Sequence, residues 1–221
     1  QRLILANGEF CALAHGDAYP RALGFSRWPG AGGKALANQP YHQIEGESGA
    51  NVTNCQTGGL VALPNRKFAI VFASSNRRKA HDICVLILDE NGKATKEKWL
   101  TEHKEGGFGA FPRIARDGAN IFVAWQESDS MKQIVLNSKL ETVTPLSTNT
   151  TAKLSPYDDL HTLDNGAIVW AVPEDGNKIR VFQIDQAAVL EQTLITGNAR
   201  TQRTPKPEAL AQVDREMTIK L

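Results

Sequence analysis

The sequence predicts an all-β fold, a β-propeller or propeller segment of about four to five four-stranded antiparallel blades. Three observations carry that reading. One phrase recurs along the chain, as RLILANGEFCALAHGD, GLVALPNRKFAIVFASS, PRIARDGANIFVAWQESD and DLHTLDNGAIVWAVPED. Each copy pairs two apolar runs across a turn: Asn7-Gly8, Pro64-Asn65-Arg66, Asp117-Gly118 and Asn165-Gly166. The first apolar residues after these turns, Phe10, Phe68, Ile121 and Ile168, fall 58, 53 and 47 residues apart, a period long enough for several strands per repeat.

The grammar inside each repeat orders the elements. A short strand leads into the turn. The most apolar strand follows (FCALA, FAIVFA, IFVAW, IVWAV), as suits a strand buried on both faces between neighbouring sheets. A third strand comes after a polar loop (ALGF, ICVLIL, QIVLN, IRVFQI), and a more polar fourth strand closes the blade. Strands are expected near 2–6, 9–15, 60–63, 67–73, 83–88, 113–116, 120–126, 133–137, 160–163, 167–172 and 179–184. The segment 92–104, GKATKEKWLTEHK, lacks a sustained helical stripe and sits where a fourth strand belongs. PKPEALAQVDRE has helical propensity in its second half but falls on the repeat register, and is read as strand.

The repeats divide the 221 residues approximately into 1–57, 58–110, 111–157, 158–207 and a partial 208–221, within a single propeller domain or part of one. The partial copy is ALAQVDREMTIKL, which repeats DLHTLDNGAIVWA with Asp214 lying 50 residues after Asp164. Four blades and a fraction would leave an apolar blade face and a strand edge in water. The expected partner is therefore another polypeptide, or further propeller sequence, that completes the ring; the alternative is that Met217 to Leu221 completes a strand of a small ring. The start at Gln1 and the end within a repeat suggest a processed or excerpted piece of something longer.

The pattern from Pro112 to Trp125, P-x-I-A-x-D-G-x-x-x-F-V-A-W, resembles the blade of extracellular β-propellers, including the sialidase-like and FG-GAP-containing groups. That resemblance implies the fold; the expected location, extracellular or cell surface, rests on the two sequons in a β-rich chain. The resemblance carries no catalytic or calcium-binding residue, because S-x-D-x-G-x-x-W, D-x-D-x-D-G and the Trp-Asp dipeptide are all missing.

Composition is ordinary for a globular chain: 41% hydrophobic, 22% charged, net charge +1. Such a balance provides no field to gather nucleic acid, and no apolar run approaches the roughly 20 residues of a membrane span. Arg77, Arg78 and Lys79 read as a solvated loop. Gly30-Ala31-Gly32-Gly33-Lys34 lacks the spacing of a phosphate-binding loop and reads as a flexible connection. No metal or cofactor motif is present. Cys11, Cys55 and Cys84 allow one disulfide and a spare thiol, and Cys55, in an Asn-rich connection, is expected to be the most accessible. The sequons at Asn51 and Asn149 are candidate glycosylation sites and favour the extracellular reading.

Loops after the second and fourth strands of every blade share one face, where binding concentrates. His15, Asp17 and Tyr19 lie in the first such loop, Asn76 and Arg77 in the second, Glu127 and Asp129 in the third, and Asp175 in the fourth. Phe108, Tyr157 and Asp158 lie in loops that enter inner strands. Carboxylates, amides and hydroxyls beside aromatic rings suit carbohydrate, whose hydroxyls take hydrogen bonds and whose apolar face stacks on a ring. The expected function is a non-catalytic, lectin-like binding or assembly module for glycan or protein ligands. Two rivals stand beside it. One is a propeller glycosidase or lyase with catalytic residues partly outside this chain, drawing on Asp17, Glu127, Asp129, Glu174 or Asp175, or on His15 beside Asp17 as half of an acid–base relay. The other is a purely structural subunit. Trp125 and Trp170 occupy equivalent positions and are expected to pack between blades. Trp28 and Trp99 break register and are the better candidates for interface aromatics.

Overall fold

A computed structural model describes residues 2–15, 23–29, 42–45, 54–174, 178–185 and 188–195. Among them there is no helix, and sixteen strands form four antiparallel four-stranded meanders. The first sheet holds β1 (Arg2–Ala6), β2 (Glu9–His15), β3 (Leu23–Pro29) and β4 (His42–Glu45). The second holds β5 (Cys55–Ala62), β6 (Phe68–Ser74), β7 (Asp82–Leu88) and β8 (Ala94–Trp99). β9 (Ala110–Asp117), β10 (Asn120–Glu127), β11 (Ser130–Leu136) and β12 (Thr142–Asn149) make the third. β13 (His161–Thr162), β14 (Ile168–Glu174), β15 (Lys178–Asp185) and β16 (Ala188–Ile195) make the fourth. Each sheet is paired in chain order, so every blade is built from consecutive hairpins.

Alternation along the strands decides how the sheets stack. In β6, Phe68, Ile70 and Phe72 face the first sheet and join Cys11, Leu13 and Phe25. The intervening Ala69, Val71 and Ala73 face the third sheet, where Ile114, Val123 and Trp125 meet them. Beyond it, Ala115, Phe122 and Ala124 pack against Ile168, Trp170 and Phe182 of the fourth. β6 and β7 are buried along their whole length on both faces, which is why their sequences read as unbroken apolar runs. Trp125 and Trp170 are both buried between sheets, as their recurrence in the repeat predicted.

Two inner strands start earlier than their sequences suggested, β5 at Cys55 and β9 at Ala110. Thr57-Gly58-Gly59 looks like a loop because glycine weakens a strand. Here the register shifts between Thr57 and Gly59, so Gly58 is an extra residue taken up as a bulge. Both glycines are needed for close approach: a Cβ on Gly59 would lie 2.5 Å from Ile114 Cγ2, and one on Gly58 would lie 2.9 Å from the Pro112 carbonyl oxygen. Phe111-Pro112 likewise reads as loop, but the register between β9 and β10 shifts there, with Phe111 at φ +49°. The polar segment at 92–104 contributes β8 on the outer edge. The strand reading of PKPEALAQVDRE and the flexible-connection reading of residues 30–34 lie outside the described residues.

None of the three cysteines forms a disulfide. Cys11 and Cys84 are buried, and burial pushes the Cys11 thiol up to about 11, against the opposing charge of Arg27. Cys55 is half-buried at the start of β5 rather than in a connection, with Asn76 Nδ2 3.5 Å from its sulfur.

Candidate functional site

The connections that leave second and fourth strands lie at the end where the inner strands begin. The best-built feature of that end is the loop between β12 and β13. Arg113, near the start of β9, is 1% exposed and is surrounded by that loop. Its Nε donates to the Asp158 carbonyl (2.9 Å), its Nη1 to the Pro112 carbonyl (2.8 Å) and its Nη2 to the Ser155 carbonyl (2.5 Å). The Asp158 carboxylate is 3.5 Å from Arg113 Nε and accepts the Ser155 amide at 3.3 Å. Arg2, which opens β1, reaches the same loop from the first sheet. It donates to the Asp158 carbonyl at 3.2 Å, and its Nε lies 3.2 Å from Asp159 Oδ2.

Two arginines from non-adjacent sheets thus hold residues 155–159. Inside the loop, Ser155 Oγ accepts the Tyr157 amide at 3.2 Å. The Tyr157 side chain is left 88% exposed at the tip. A planar guanidinium with five donors suits such a clamp, because it satisfies several carbonyls at once without losing its charge. Burial pushes the Asp158 carboxyl above the usual carboxylate value, with the Arg113 charge and the Ser155 amide acting against that shift. Burial and the neighbouring Arg2 charge lower the Arg113 guanidinium, and Asp158 and Asp159 oppose them.

A second cluster joins the β6–β7 and β8–β9 connections. Asp82, fully buried, accepts Arg78 Nη2 (2.6 Å) and Nε (3.1 Å) on one oxygen, and Thr101 Oγ1 and the His103 amide (2.9 Å each) on the other. Burial raises the Asp82 carboxyl, but these bonds together outweigh it and hold it below the ordinary value. Arg78 is therefore a structural partner of a buried acid, which corrects the reading of residues 77–79 as merely solvated.

The expected site residues distribute as follows. Tyr157 and Asp158 share the clamped loop. Phe108 is half-exposed and packs on His81, with ring centroids 4.6 Å apart. Arg77 lies over the ring of Trp99, 5.1 Å from its centroid. Asn76 sits beside Cys55, and His15 Nδ1 is 2.6 Å from Thr57 Oγ1. Glu127 accepts Trp125 Nε1 at 2.8 Å and lies 3.5 Å from His103 Nε2. Asp129 is exposed on the β10–β11 turn. Glu174 is paired with Arg180 at 2.5 Å. Asn149 ends β12, its carboxamide oxygen accepting the amides of Thr151 and Ala152. Asp17, Tyr19, Asp175 and Asn51 lie outside the described residues. Among the described residues no group of three or more His, Cys, Asp or Glu is placed to hold a metal ion.

Sequence reasoning missed Arg2, Arg113 and Asp82. Two of them had a signal: each arginine is a charge inside an inner apolar strand, RLILA and PRIA, where alternation should have raised the question of its partner.

Solved structures share this fold, two glycoside hydrolases among them. A GH43 β-1,3-galactosidase aligns with a TM-score of 0.52 and 12% identity, over 86% of this chain and 44% of that one. An exo-β-1,3-galactanase from Clostridium thermocellum aligns with a TM-score of 0.55 and 12% identity, over 89% of this chain and 48% of that one. This chain is a β-propeller or propeller segment, spanning under half the length of these two glycoside hydrolases. At 12% identity the likeness establishes the fold and no residue's role. No family model matches the sequence, nor does any curated protein sequence. The resemblance to sialidase-like and FG-GAP-containing propellers therefore extends to the propeller fold alone.

Proposed function

We propose that the chain is a non-catalytic carbohydrate-binding module in which Tyr157 is the stacking platform. The observation that carries this reading is an aromatic ring 88% exposed on a loop clamped by Arg2 and Arg113. An exposed ring normally loses entropy when a ligand orders its loop. Here much of that cost is met in the fold itself, so the stacking gain is available for affinity. The carboxylates near the platform favour binding over hydrolysis. Asp158 and Asp159 each face an arginine, at 3.5 and 3.2 Å. A glycosidase instead needs two carboxyl groups flanking a bond, about 5–5.5 Å apart for retention or 6.5–9.5 Å for inversion.

One observation favours a second reading, a glycosidase site completed by residues outside this chain. A carboxyl raised by burial beside another carboxylate, as at Asp158 and Asp159, is how an acid and a base are separated in such sites. Galactose-containing oligosaccharides are the first probes, since the two structures above are named for β-1,3-galactose chemistry. Calorimetric titration of the full chain should show binding that Tyr157→Ala weakens at least about tenfold and Tyr157→Phe retains. No new reducing ends should form on prolonged incubation. Release of reducing ends that Asp158→Asn abolishes would overturn the non-catalytic reading and establish the second.

A further inference from the structure

A second exposed ring stands at the same end of the sheets as Tyr157. Phe108, in the β8–β9 connection, is 51% exposed and rests against His81, with ring centroids 4.6 Å apart. Its segment, Gly106-Gly107-Phe108-Gly109, would be loose as a free loop, since glycine leaves the backbone many conformations. Backbone bonds remove that freedom. The Gly107 carbonyl accepts the His81 amide at 3.0 Å, the Gly109 amide donates to the His81 carbonyl at 2.9 Å, and the Gly106 amide donates to the Lys79 carbonyl at 3.2 Å. Phe108 thus sits between two bonds to one residue. Like Tyr157, it is carried on a connection that the fold orders before any ligand arrives.

The two connections flank the same strand. One enters the third sheet, the other leaves it, and both touch the end of β10. On the Phe108 side, His103 Nε2 lies 3.5 Å from Glu127 Oε1. On the Tyr157 side, Gln126 Oε1 accepts the Leu154 amide at 3.2 Å. Immediately beyond these contacts the chain turns at Ser128 and Asp129, both exposed, with Ser128 at φ +50°.

We propose that the saccharide ligand is an extended chain lying across this end of the third sheet, with one sugar stacked on Tyr157, another on Phe108, and hydroxyls between them donating to the Asp129 carboxylate. The inference rests on the reading of Tyr157 as a stacking platform and adds to it a second ring and a minimum length of ligand. Two features select an extended saccharide over a single sugar or an apolar peptide. Each connection spans one gap between sheets, and successive gaps are about one sheet spacing, roughly 10 Å, apart. A single sugar ring does not reach across that distance. The exposed groups on the intervening turn, Ser128 and Asp129, are also polar, whereas a peptide anchored by apolar side chains needs an apolar groove.

Calorimetric titration of the full chain with β-1,3-linked galacto-oligosaccharides, from disaccharide to hexasaccharide, tests this. The hexasaccharide should bind at least about tenfold more tightly than the disaccharide, because its second contact is made intramolecularly. Phe108→Ala should remove that gain while leaving disaccharide affinity within about twofold, and Phe108→Trp should keep it. Asp129→Asn should weaken the hexasaccharide more than the disaccharide. Affinity that does not rise with length, or a length gain that survives Phe108→Ala, would overturn the extended-chain proposal. In that case a continued loss of binding in Tyr157→Ala leaves the platform reading standing. Binding at no length, or binding indifferent to Tyr157→Ala, would overturn that reading and this inference with it.

Discussion

Arg113 shows how one buried charge can organise a surface loop. A lone guanidinium in this position would be costly. Three carbonyls and one carboxylate around it make the charge a staple between β9 and the loop that presents Tyr157. Arg113→Ala would strand Asp158 without its cation and release the loop, with an expected loss of about 3–5 kcal/mol in denaturant unfolding. Arg113→Lys should recover only part of that, because an ammonium cannot span carbonyls on both sides. Three titratable groups, His81, Asp82 and Asp158, pull stability in different directions with pH. Burial lowers the His81 imidazole below its ordinary value, so the folded chain binds fewer protons there than the unfolded one. His81 thus contributes stability above about pH 6.5 that is lost as pH falls. Asp82, held below the ordinary carboxylate value, acts in the same sense at lower pH, through its folded value. Asp158, raised by burial, acts in the opposite sense: its contribution is present below the ordinary value and lost as pH rises through the raised one. The urea midpoint should therefore fall between pH 7.5 and 5.5, and His81→Asn should flatten that fall. An unchanged slope in the variant would assign the effect to other groups.

At the scale of strands and hairpins, packing between sheets sets the energetics. Truncating Trp125 or Trp170 to Ala should cost about 3–5 kcal/mol each, measured by denaturant unfolding, because each fills space between two sheets. Gly58→Ala should also destabilise, by about 1–3 kcal/mol, since its Cβ would meet backbone atoms of Val71 and Pro112 that cannot rotate away. The contrast between these sites shows what was readable in the sequence. The apolar strands β6, β7 and β10 announce themselves by long apolar runs bounded by turn residues, and their positions follow. The Asn7-Gly8 turn is equally legible, with both residues at positive φ as a tight hairpin requires. β5 and β9 were read short because Gly58 and Pro112 normally argue against strand. Only contact between the two strands makes a glycine bulge favourable, and contact is not written in local sequence. The site was partly legible for the same reason. Exposed Tyr157 could be picked out as a loop aromatic, but the arginines that hold its loop come from residues 2 and 113, far away in sequence.

For the whole molecule, the stack of sheets acts as a rigid frame with two unlike ends. The turns between first and second strands, at Asn7-Gly8, Asn65-Arg66, Asp117-Gly118 and Asn165-Gly166, lie at one end. The connections between successive sheets lie at the other, with Phe108 and Tyr157 exposed among them. A ligand that stacks on Tyr157 must therefore be recognised at one end alone. Hydrogen exchange of the full chain with and without a bound galactose-containing oligosaccharide tests that claim most directly. The account predicts slowed exchange at Tyr157 to Leu160, and no change at Gly8, Arg66, Gly118 and Gly166. Protection at those turns, or none within the clamped loop despite measurable binding, would contradict it.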